Sequence, residues 1–326
     1  MKNFNLLRVT HTFTAMGGEF QLMCFPQNYL SKKEVIKLFI EAQNEVERIE
    51  DKLTDFKDSP FNAININAGI SPVVVDDEIW NIIKKSLKIS KQTKGLFDIS
   101  YASIGHLWRK AKTENKIISL EKRKYLRQFI NYKKIKLDKK KQSVFLPHSK
   151  MKIGLGGIGK GYAVDRIYDF LKSKGLYNFY INGSGDIRVH SHSKAPRPWR
   201  IGIRNPFSKD VTKSIGVIQL REGSIASSGS YIHKVNNKDF VDHHILNPTK
   251  GLSKENLITA TVIGSDMITA DTTATILMNL SSKNAIQYLD KQSLIGFVID
   301  YQGKTHLSDK AFKSFGLSHL QVLSKK

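Results

Sequence analysis

Apolar residues recur at helical spacing in five parts of the chain. After Ser31, which forms a capping-box pattern with Glu34, apolar residues follow every three or four positions up to Leu53. The same spacing, with start and stop residues typical of helices, recurs in four further segments. The pattern therefore predicts helices over 31–53, 77 to about 92, about 160–174, about 267–280 and about 284–290.

Shorter runs rich in β-branched and aromatic residues lie between these helices and predict strands. Most of them fall in the second half of the chain: 73–75, 143–146, 178–181, 187–190, 199–203, 216–220, 257–263, 295–301 and 305–307. Strands and helices do not alternate regularly, so their order favours an α+β fold with twisted mixed or antiparallel sheets. We expect a single domain over 1–326, in which the segment 110–142 divides two subdomains.

Composition excludes several classes of protein. Hydrophobic residues make up 40% and charged residues 25% of the 326 residues, which is typical of a chain that buries a core. No apolar run in the sequence is long enough to span a bilayer. The single cysteine, Cys24, excludes an intramolecular disulfide and a cysteine-based zinc cluster. Residues 1–16 lack the pattern of a leader and no lipobox surrounds Cys24, so a cytoplasmic location is expected unless a leader was removed.

The chain is strongly basic, with a formal net charge of +23 from 52 Lys or Arg and 29 Asp or Glu residues. Part of this charge is local, because 109–152 holds 16 basic residues against three acidic ones. Such a stretch attracts nucleic acid, an anionic membrane or an acidic partner. The sequence shows neither an aromatic-rich RNA-binding signature nor zinc-finger spacing. We therefore favour a solvated, lysine-rich surface and expect no nucleic-acid partner.

The most informative stretch is the glycine-rich segment 154–161. Glycines let the backbone approach a phosphate closely, and a helix start offers free N–H donors to anions. Three of the glycines fit the dinucleotide pattern G-x-G-x-x-G, but 178–181 lacks the acid that should bind the ribose. The segment up to Lys160 also fits G-x-x-x-x-G-K, but Gly161 replaces the Ser or Thr that binds magnesium. A phosphate site and a ligand-free turn are both open interpretations.

Two further groups of residues carry candidate chemistry. Asp271 and Thr275 are four residues apart in the fourth predicted helix, so they share a face. A carboxylate and a hydroxyl suit a hard cation such as magnesium, whereas the alternative is that an acid here caps the start of the helix. His243 and His244 precede a Pro/Gly turn, and one of them could act as a general base or, without support from a zinc motif, as a metal ligand.

Taken together, eight segments in order resemble the FAD:protein FMN transferase family, or ApbE family. The most specific match is 156–165, Gly-Gly-Ile-Gly-Lys-Gly-Tyr-Ala-Val-Asp, which is similar to the family signature Gly-Gly-Ile-Ala-Lys-Gly-Tyr-Ala-x-Asp. The other matching segments are 16–18, 54–56 with Ser59 and Asn65, 95–98 with Trp108, 182–186, 228–231, 244–248 and 270–275.

This resemblance implies two interleaved subdomains, with sheets flanked by helices and FAD in the cleft between them. It implies an enzyme that cleaves FAD, attaches FMN through a phosphoester bond to a Thr or Ser hydroxyl of a target protein, and releases AMP. The residues implied to line FAD are Met16, Phe56, Leu96, Phe97, Asp98, Gly156, Tyr162 and Ile245. The implied Mg²⁺ ligands are Asp271, Thr275 and the carbonyl of Gly159, with His244 as the base and Lys160 as a cation at the pyrophosphate.

Four positions depart from the family pattern: Phe56 replaces Tyr, Gly154 replaces Asp, Ser184 replaces Gly and Asn247 replaces Asp. None of these changes removes an implied metal ligand or the implied base, so we expect an active enzyme.

Three alternatives to protein flavinylation stay open at this point. Transfer to water would make the protein an FAD pyrophosphatase, and an FAD-binding protein without catalysis is the second alternative. A basic nucleic-acid-binding protein is the least favoured. Because family targets are often membrane respiratory or electron-transfer flavoproteins, a periplasmic or membrane-associated location is the alternative to the cytoplasm.

Overall fold

The computed structural model describes residues 8–26, 30–114, 116, 118–192, 197–231, 234–236, 241–253 and 256–315. Its α-helices are α1 (Lys32–Leu53), α2 (Asn62–Ile66), α3 (Asp77–Gln92), α4 (Ala102–Thr113), α5 (Leu120–Arg127), α6 (Gly159–Ser173), α7 (Met267–Leu277), α8 (Ser282–Lys291) and α9 (Asp309–Phe315).

Its strands are β1 (Val9–Ala15), β2 (Gly18–Cys24), β3 (Val73–Val74), β4 (Lys136–Asp138), β5 (Ser143–Phe145), β6 (Phe179–Gly183), β7 (Asp186–His190), β8 (Trp199–Arg204), β9 (Ser214–Leu220), β10 (Gly223–Gly229), β11 (Lys234–Asn236), β12 (Val241–His243), β13 (Leu246–Asn247), β14 (Leu252–Ser253), β15 (Leu257–Gly264), β16 (Ile295–Asp300) and β17 (Thr305–Leu307).

All five predicted helices are confirmed. Ser31 caps α1 through the expected box, in which its side chain accepts from the Glu34 N–H and the Glu34 carboxylate accepts from the Ser31 N–H. Helix α3 has its predicted bounds, α6 begins one residue early at Gly159, and α7 ends three residues early at Leu277. Asp266 caps α7 by accepting from the Thr269 N–H at 2.9 Å, so Asp271 is not the capping residue.

The centre of the fold is an eight-stranded sheet in the order β1-β2-β6-β7-β10-β15-β16-β17. Every neighbouring pair in it is antiparallel, which confirms the expected α+β class and settles the choice between mixed and antiparallel sheets. Strand β15 lies in the interior of the sheet and is buried along almost its whole length, which explains why 257–263 is apolar except for Thr259 and Thr261.

The two faces of this sheet bury different layers. Helices α1, α6 and α7 cover one face and join the main hydrophobic cluster, to which β15 contributes Leu257, Ala260 and Val262. The hairpin of β8 and β9 belongs to a second cluster, to which the same strand contributes Ile258 and Ile263. The large sheet is therefore buried on both sides, and its strand ends are where a cleft can open.

The segment 54–152 adds α2 to α5 and the small sheet β3-β5-β4. The expected divider 110–142 forms the end of α4, helix α5, a 3₁₀ turn and β4. Its Leu126, Phe129 and Ile135 are buried in the main hydrophobic cluster. That 1–326 is a single domain stays a prediction.

Nine predicted strands are found, with ends shifted by one or two residues at most, but several elements were not predicted. Strand β1 falls in the stretch 1–16 that we searched for a leader, of which residues 1–7 lie outside the described part, and β2 follows it directly. Strand β10 was missed because glycine and serine dominate it. It forms because β7 and β15 pair with it on both sides, and its small residues let α7 pack closely on it.

Candidate active site

A cleft of about 1110 Å³ is lined by segments that lie far apart in the sequence. Twelve of the thirteen predicted site residues lie on its wall: Met16, Phe56, Leu96, Phe97, Asp98, Gly156, Gly159, Lys160, His244, Ile245, Asp271 and Thr275. Tyr162 is not among the residues that line it. The structure thus brings together residues whose proximity the sequence alone did not establish, in a cavity slightly larger than the usual small-molecule site.

Two tight hairpins form one edge of the cleft. Met16 and Gly17 connect β1 to β2, and Ser184 and Gly185 connect β6 to β7. All four residues have positive φ, as two-residue hairpin turns of type I′ require. The hairpins touch, because the N–H of Ser184 donates to the carbonyl of Glu19 at 2.9 Å. The backbone N–H of Met16 donates to a carboxylate oxygen of Glu50 at 2.7 Å, which ties this tip to α1.

The glycine-rich segment passes along the cleft, and its glycines make room for side chains from other elements. A Cβ at position 154 would lie 2.5 Å from Oδ2 of Asp55, and one at position 156 would lie 2.4 Å from the Tyr101 hydroxyl. A Cβ at position 157 would lie 3.2 Å from the ring of Phe97. The absence of side chains is therefore what lets the opposite wall come this close.

Lys160 lies in the first turn of α6, beside two buried carboxylates. Its Nζ lies 3.1 Å from Oδ2 of Asp186, and this carboxylate raises the pKa of Lys160 against the opposing effect of burial. Asp271 is 6% exposed and accepts from the Gly161 N–H at 3.2 Å. Burial, and then Asp186, raise the pKa of Asp271 to about 7, although Lys160 lowers it. The site therefore holds more buried negative charge than one lysine balances.

Thr275 lies one turn after Asp271 on α7 and faces the same region. Its Oγ1 is 3.4 Å from Oγ of Ser228, and a Cβ at position 157 would lie 3.7 Å from it. Carboxylate, hydroxyl and backbone carbonyl oxygens are the donors that hard cations take. In the described part of the chain, no group of three or more His, Cys, Asp or Glu side chains could hold a metal ion.

Asp165 fixes the start of α7 and so the position of Asp271. Its carboxylate accepts from the N–H groups of Met267 at 2.8 Å and Ile268 at 3.0 Å, and it pairs with Arg188. Backbone N–H groups at a helix start favour a carboxylate both by hydrogen bonding and by the helix dipole. This aspartate, the last residue of the Gly-Gly-Ile segment, therefore links α6, β7 and α7.

Two predicted FAD-lining residues direct their polar atoms into the protein. Asp98 accepts from the N–H and the hydroxyl of Ser100 and from the N–H of Tyr132, so its carboxylate orders the turn around Phe97. The Tyr162 hydroxyl donates to Glu78 at 2.7 Å, on the side of α6 that faces α3. These bonds occupy the polar atoms of both residues, and only Asp98 of the two lines the cleft.

His244 lies on the cleft wall with its ring centroid 6.3 Å from that of Trp108. Asn247 stands where the family has Asp, and its side-chain oxygen is used within its own turn. That oxygen accepts from the N–H groups of Thr249 and Lys250 and from the Thr249 hydroxyl, and so shapes the turn that follows. The neighbouring histidine, His243, is fully buried.

Several cleft residues were not predicted from the sequence. Asp186 pairs with Lys160, and Asp55, Tyr101 and Arg109 form a hydrogen-bonded group beside Phe56. Asp186 follows a glycine turn and could have been chosen on that ground. Arg109 carries no such signal, because it opens the lysine-rich stretch that we interpreted as solvated surface.

Comparison with known proteins agrees with this geometry. A family model described as the ApbE family matches residues 16–298. The chain belongs to the ApbE family. The match includes every residue that we assigned to the site, and this membership makes the chain a transferase.

Curated ApbE relatives carry the name FAD:protein FMN transferase. That of Vibrio cholerae is 23% identical over 92% of this chain and 90% of its own length. That of Klebsiella pneumoniae is 29% identical over 72% of this chain and 73% of its own. Among solved structures, the ApbE protein of Thermotoga maritima is similar with a TM-score of 0.85 and 25% identity, covering 95% of this chain and 99% of its own. The Vibrio cholerae flavin transferase ApbE has a TM-score of 0.80 at 22% identity, over 95% of this chain and 99% of its own, and supports the fold.

Proposed function

We propose that this protein is an FAD:protein FMN transferase that attaches FMN through a phosphoester bond to a Thr or Ser hydroxyl of a target protein and releases AMP. The observation that carries the proposal is the pair of buried carboxylates, Asp186 and Asp271, beside Lys160 and the glycine segment in a cleft of dinucleotide size. The names of the curated relatives support the same activity.

A divalent cation, Mg²⁺, fits the residues present. Asp271, Thr275 and the carbonyl of Gly159 would hold it, and a cation would stabilise the charged form of Asp271, whose pKa burial and Asp186 raise. When bound, Mg²⁺ would neutralise charge on the pyrophosphate of FAD. The second carboxylate, Asp186, keeps Lys160 charged and directed into the site.

The chain's own residues supply the rest of the reaction. His244 takes the proton from the acceptor hydroxyl, which then attacks the phosphorus on the FMN side, in line with AMP as the leaving group. The ammonium of Lys160 and the N–H groups at the start of α6 stabilise the charge that develops on the phosphoryl oxygens. AMP leaves as a stable phosphate anion, so no protein group is needed to protonate it.

The target is a protein with an accessible Thr or Ser, of the kind found in membrane respiratory or electron-transfer flavoproteins. No helix among the described residues has the length and apolar character needed to cross a membrane. The strong positive charge of the chain suits an acidic acceptor.

The deciding experiment incubates the protein with FAD, Mg²⁺ and an acceptor flavoprotein domain whose acceptor threonine is intact or changed to alanine. We expect AMP release together with yellow fluorescence on the band of the intact acceptor alone. AMP release without labelled acceptor would indicate a pyrophosphatase. FAD binding without AMP release would indicate a protein that only binds FAD.

Asp271→Asn should abolish Mg²⁺-dependent AMP release while keeping the fold, because the amide preserves volume but removes the charge on the cation ligand. We expect a loss of at least about 100-fold in rate, on the scale of a removed electrostatic contact at a transition state. The measurement is AMP release against Mg²⁺ concentration, with Asp210→Asn on the exposed β8–β9 connection as the matched control. Full activity of Asp271→Asn would remove the metal assignment.

His244→Ala should keep FAD binding and lose about 100- to 10,000-fold in transfer rate, which is the usual contribution of a general base. The two quantities are measured by FAD titration and by labelling of the acceptor. His11→Ala, outside the cleft, serves as the control. Normal transfer by His244→Ala would show that another group deprotonates the acceptor.

A further inference from the structure

A charged, hydrogen-bonded group lies on the cleft wall at Phe56. The Arg109 guanidinium carbon lies 4.1 Å from the centre of the Phe56 ring. Nη2 of Arg109 donates to the Tyr101 hydroxyl at 3.1 Å, and Nη1 lies 3.5 Å from Oδ1 of Asp55. The other oxygen of Asp55 is 2.7 Å from Nε2 of His106. Every member of this group except His106 lines the cleft.

Burial and shape show that the group holds Arg109 in place. The Asp55 side chain is 6% exposed, and its burial is compensated by the Arg109 guanidinium and by the hydrogen bond with the His106 ring. Gly154 and Gly156 leave the space that Asp55 and Tyr101 occupy, since a Cβ at either position would lie within 2.5 Å of one of their oxygens. Arg109 itself remains 29% exposed, so its guanidinium can be reached from the cleft.

The exposed part of this group has the form of a ring-binding surface. Phe56 is 69% exposed, which is unusual for a large aromatic residue, and Arg109 backs its ring. A guanidinium has five N–H donors, and the bonds described above engage two nitrogens, so donors remain for a ligand. Because Arg109 covers one face of Phe56, a planar ring that packs against the edge of Phe56 would bring carbonyl oxygens on its own edge to these donors.

We propose that Arg109 is a specificity-determining residue that donates hydrogen bonds to the carbonyl oxygens of the flavin ring of FAD, held against Phe56. The flavin ring has two carbonyl groups on one edge, whereas adenine has none, so this contact selects the orientation in which the FMN half occupies the Phe56 end of the cleft. Asp55 and Tyr101 are positioning residues that act through Arg109. The inference rests on the proposed use of FAD.

The test measures equilibrium binding of FAD, FMN and ADP, each with Mg²⁺, to the full chain and to Arg109→Met. We expect Arg109→Met to bind FMN and FAD at least about tenfold more weakly, as for loss of a hydrogen bond from a charged donor, and ADP as tightly as the wild type. Arg197→Met, which removes an arginine that stacks on Phe25 outside the cleft, should leave all three affinities unchanged. Unchanged FMN binding, or an equal loss for FMN and ADP, would overturn the proposal.

If Arg109→Met folds poorly, analogues of FAD test the same hydrogen bonds in the wild-type protein. FAD analogues with sulfur in place of the ring carbonyl oxygens are weaker acceptors, so the wild type should prefer FAD over them by at least about threefold. Arg109→Lys keeps the charge and should show a smaller preference for FAD over these analogues. Asp55→Asn should lower the affinity for FMN, and the double variant Asp55→Asn/Arg109→Lys should bind FMN no more weakly than Arg109→Lys alone. Equal discrimination by wild type and Arg109→Lys would contradict the assignment. Failure of the wild type to bind FAD at all would instead contradict the proposed function.

Discussion

Met16 shows how a single residue stores strain at the cleft. Its φ is +52°, a region that residues other than glycine, asparagine and aspartate rarely occupy. The β1–β2 register and the hydrogen bond to Glu50 hold it there, and its methyl carbon reaches the backbone of the glycine segment near Gly159. Strain that persists in a site is maintained by the structure around it.

Met16→Asn should raise the free energy of unfolding by about 1 kcal/mol, because asparagine tolerates the left-handed conformation. The same change should weaken FAD binding, because it removes the thioether side chain from the cleft. Urea denaturation and FAD titration measure the two effects. Ser293→Asn, at a φ of +53° in the exposed turn after α8, should gain similar stability and leave FAD binding unchanged. A Met16→Asn variant no more stable than the wild type would show that no strain is stored there.

Helix α7 shows how an element receives its position from elsewhere in the chain. Its two proposed cation ligands are on one face, but that face is useful only if the helix start is fixed against α6. Asp266 caps the helix from within, and Asp165 holds the N–H groups of Met267 and Ile268 from α6. The two acids at the same helix start therefore have different tasks.

Asp165→Asn should lower the free energy of unfolding by about 3 kcal/mol, since it leaves the 11%-exposed side chain of Arg188 without its carboxylate. The loss should be smaller than additive when Asp165→Asn is combined with Arg188→Met, as a double-mutant cycle in urea would measure. Asp266→Asn should cost only a few tenths of a kcal/mol, because asparagine also caps helices well. Equal losses for the two aspartates would argue against this division of tasks.

At the scale of single helices and strands, the sequence predicts the features that depend on residues close together in the chain. The capping box at Ser31, the spacing that defines α3 and the spacing of Asp271 and Thr275 all lie within a few residues, and all were found. Strand β10 was not, because its glycines and serines become a strand only between two partners distant in sequence. Arg109 was missed for the same reason, since Asp55, which holds it, is 54 residues away. The resemblance to a family supplied the assembled site, whereas the contacts of residues outside the assigned set, such as Arg109, had to await the structure.

The whole molecule separates its charges. The chain carries a net +23, yet the cleft wall includes Asp55, Asp186 and Asp271. A basic exterior draws anionic molecules towards the protein, while the acidic interior of the cleft favours a cation. Such a molecule also gains further positive charge on acidification, which adds to self-repulsion.

Stability should fall as the pH drops below the ordinary histidine pKa of about 6.5, and His190 should account for part of the loss. Burial lowers the pKa of this 5%-exposed histidine, with Glu222 opposing the effect. The unfolded chain therefore binds the proton first as the pH falls, and the folded state loses stability from there down to the lower pKa of the buried ring.

His190→Phe should reduce this acid sensitivity, because phenylalanine preserves the ring contacts with Tyr168 and Phe179 but does not titrate. Urea denaturation at pH 7.5 and pH 5.5 measures the difference for both proteins. If the two lost the same stability, His190 would not be responsible.

The glycines of the glycine-rich segment differ in how well they tolerate substitution. A methyl group at position 159 would meet only ordinary contacts, 3.6 Å from Leu155 and Met16, whereas at positions 154 and 156 it would collide with oxygen atoms. Deep mutational scanning should thus recover alanine at 159 among functional clones but not at 154 or 156. Position 159 could therefore vary between Gly and Ala during evolution. Positions 154 and 156 would change only together with Asp55 and Tyr101, the residues that they contact.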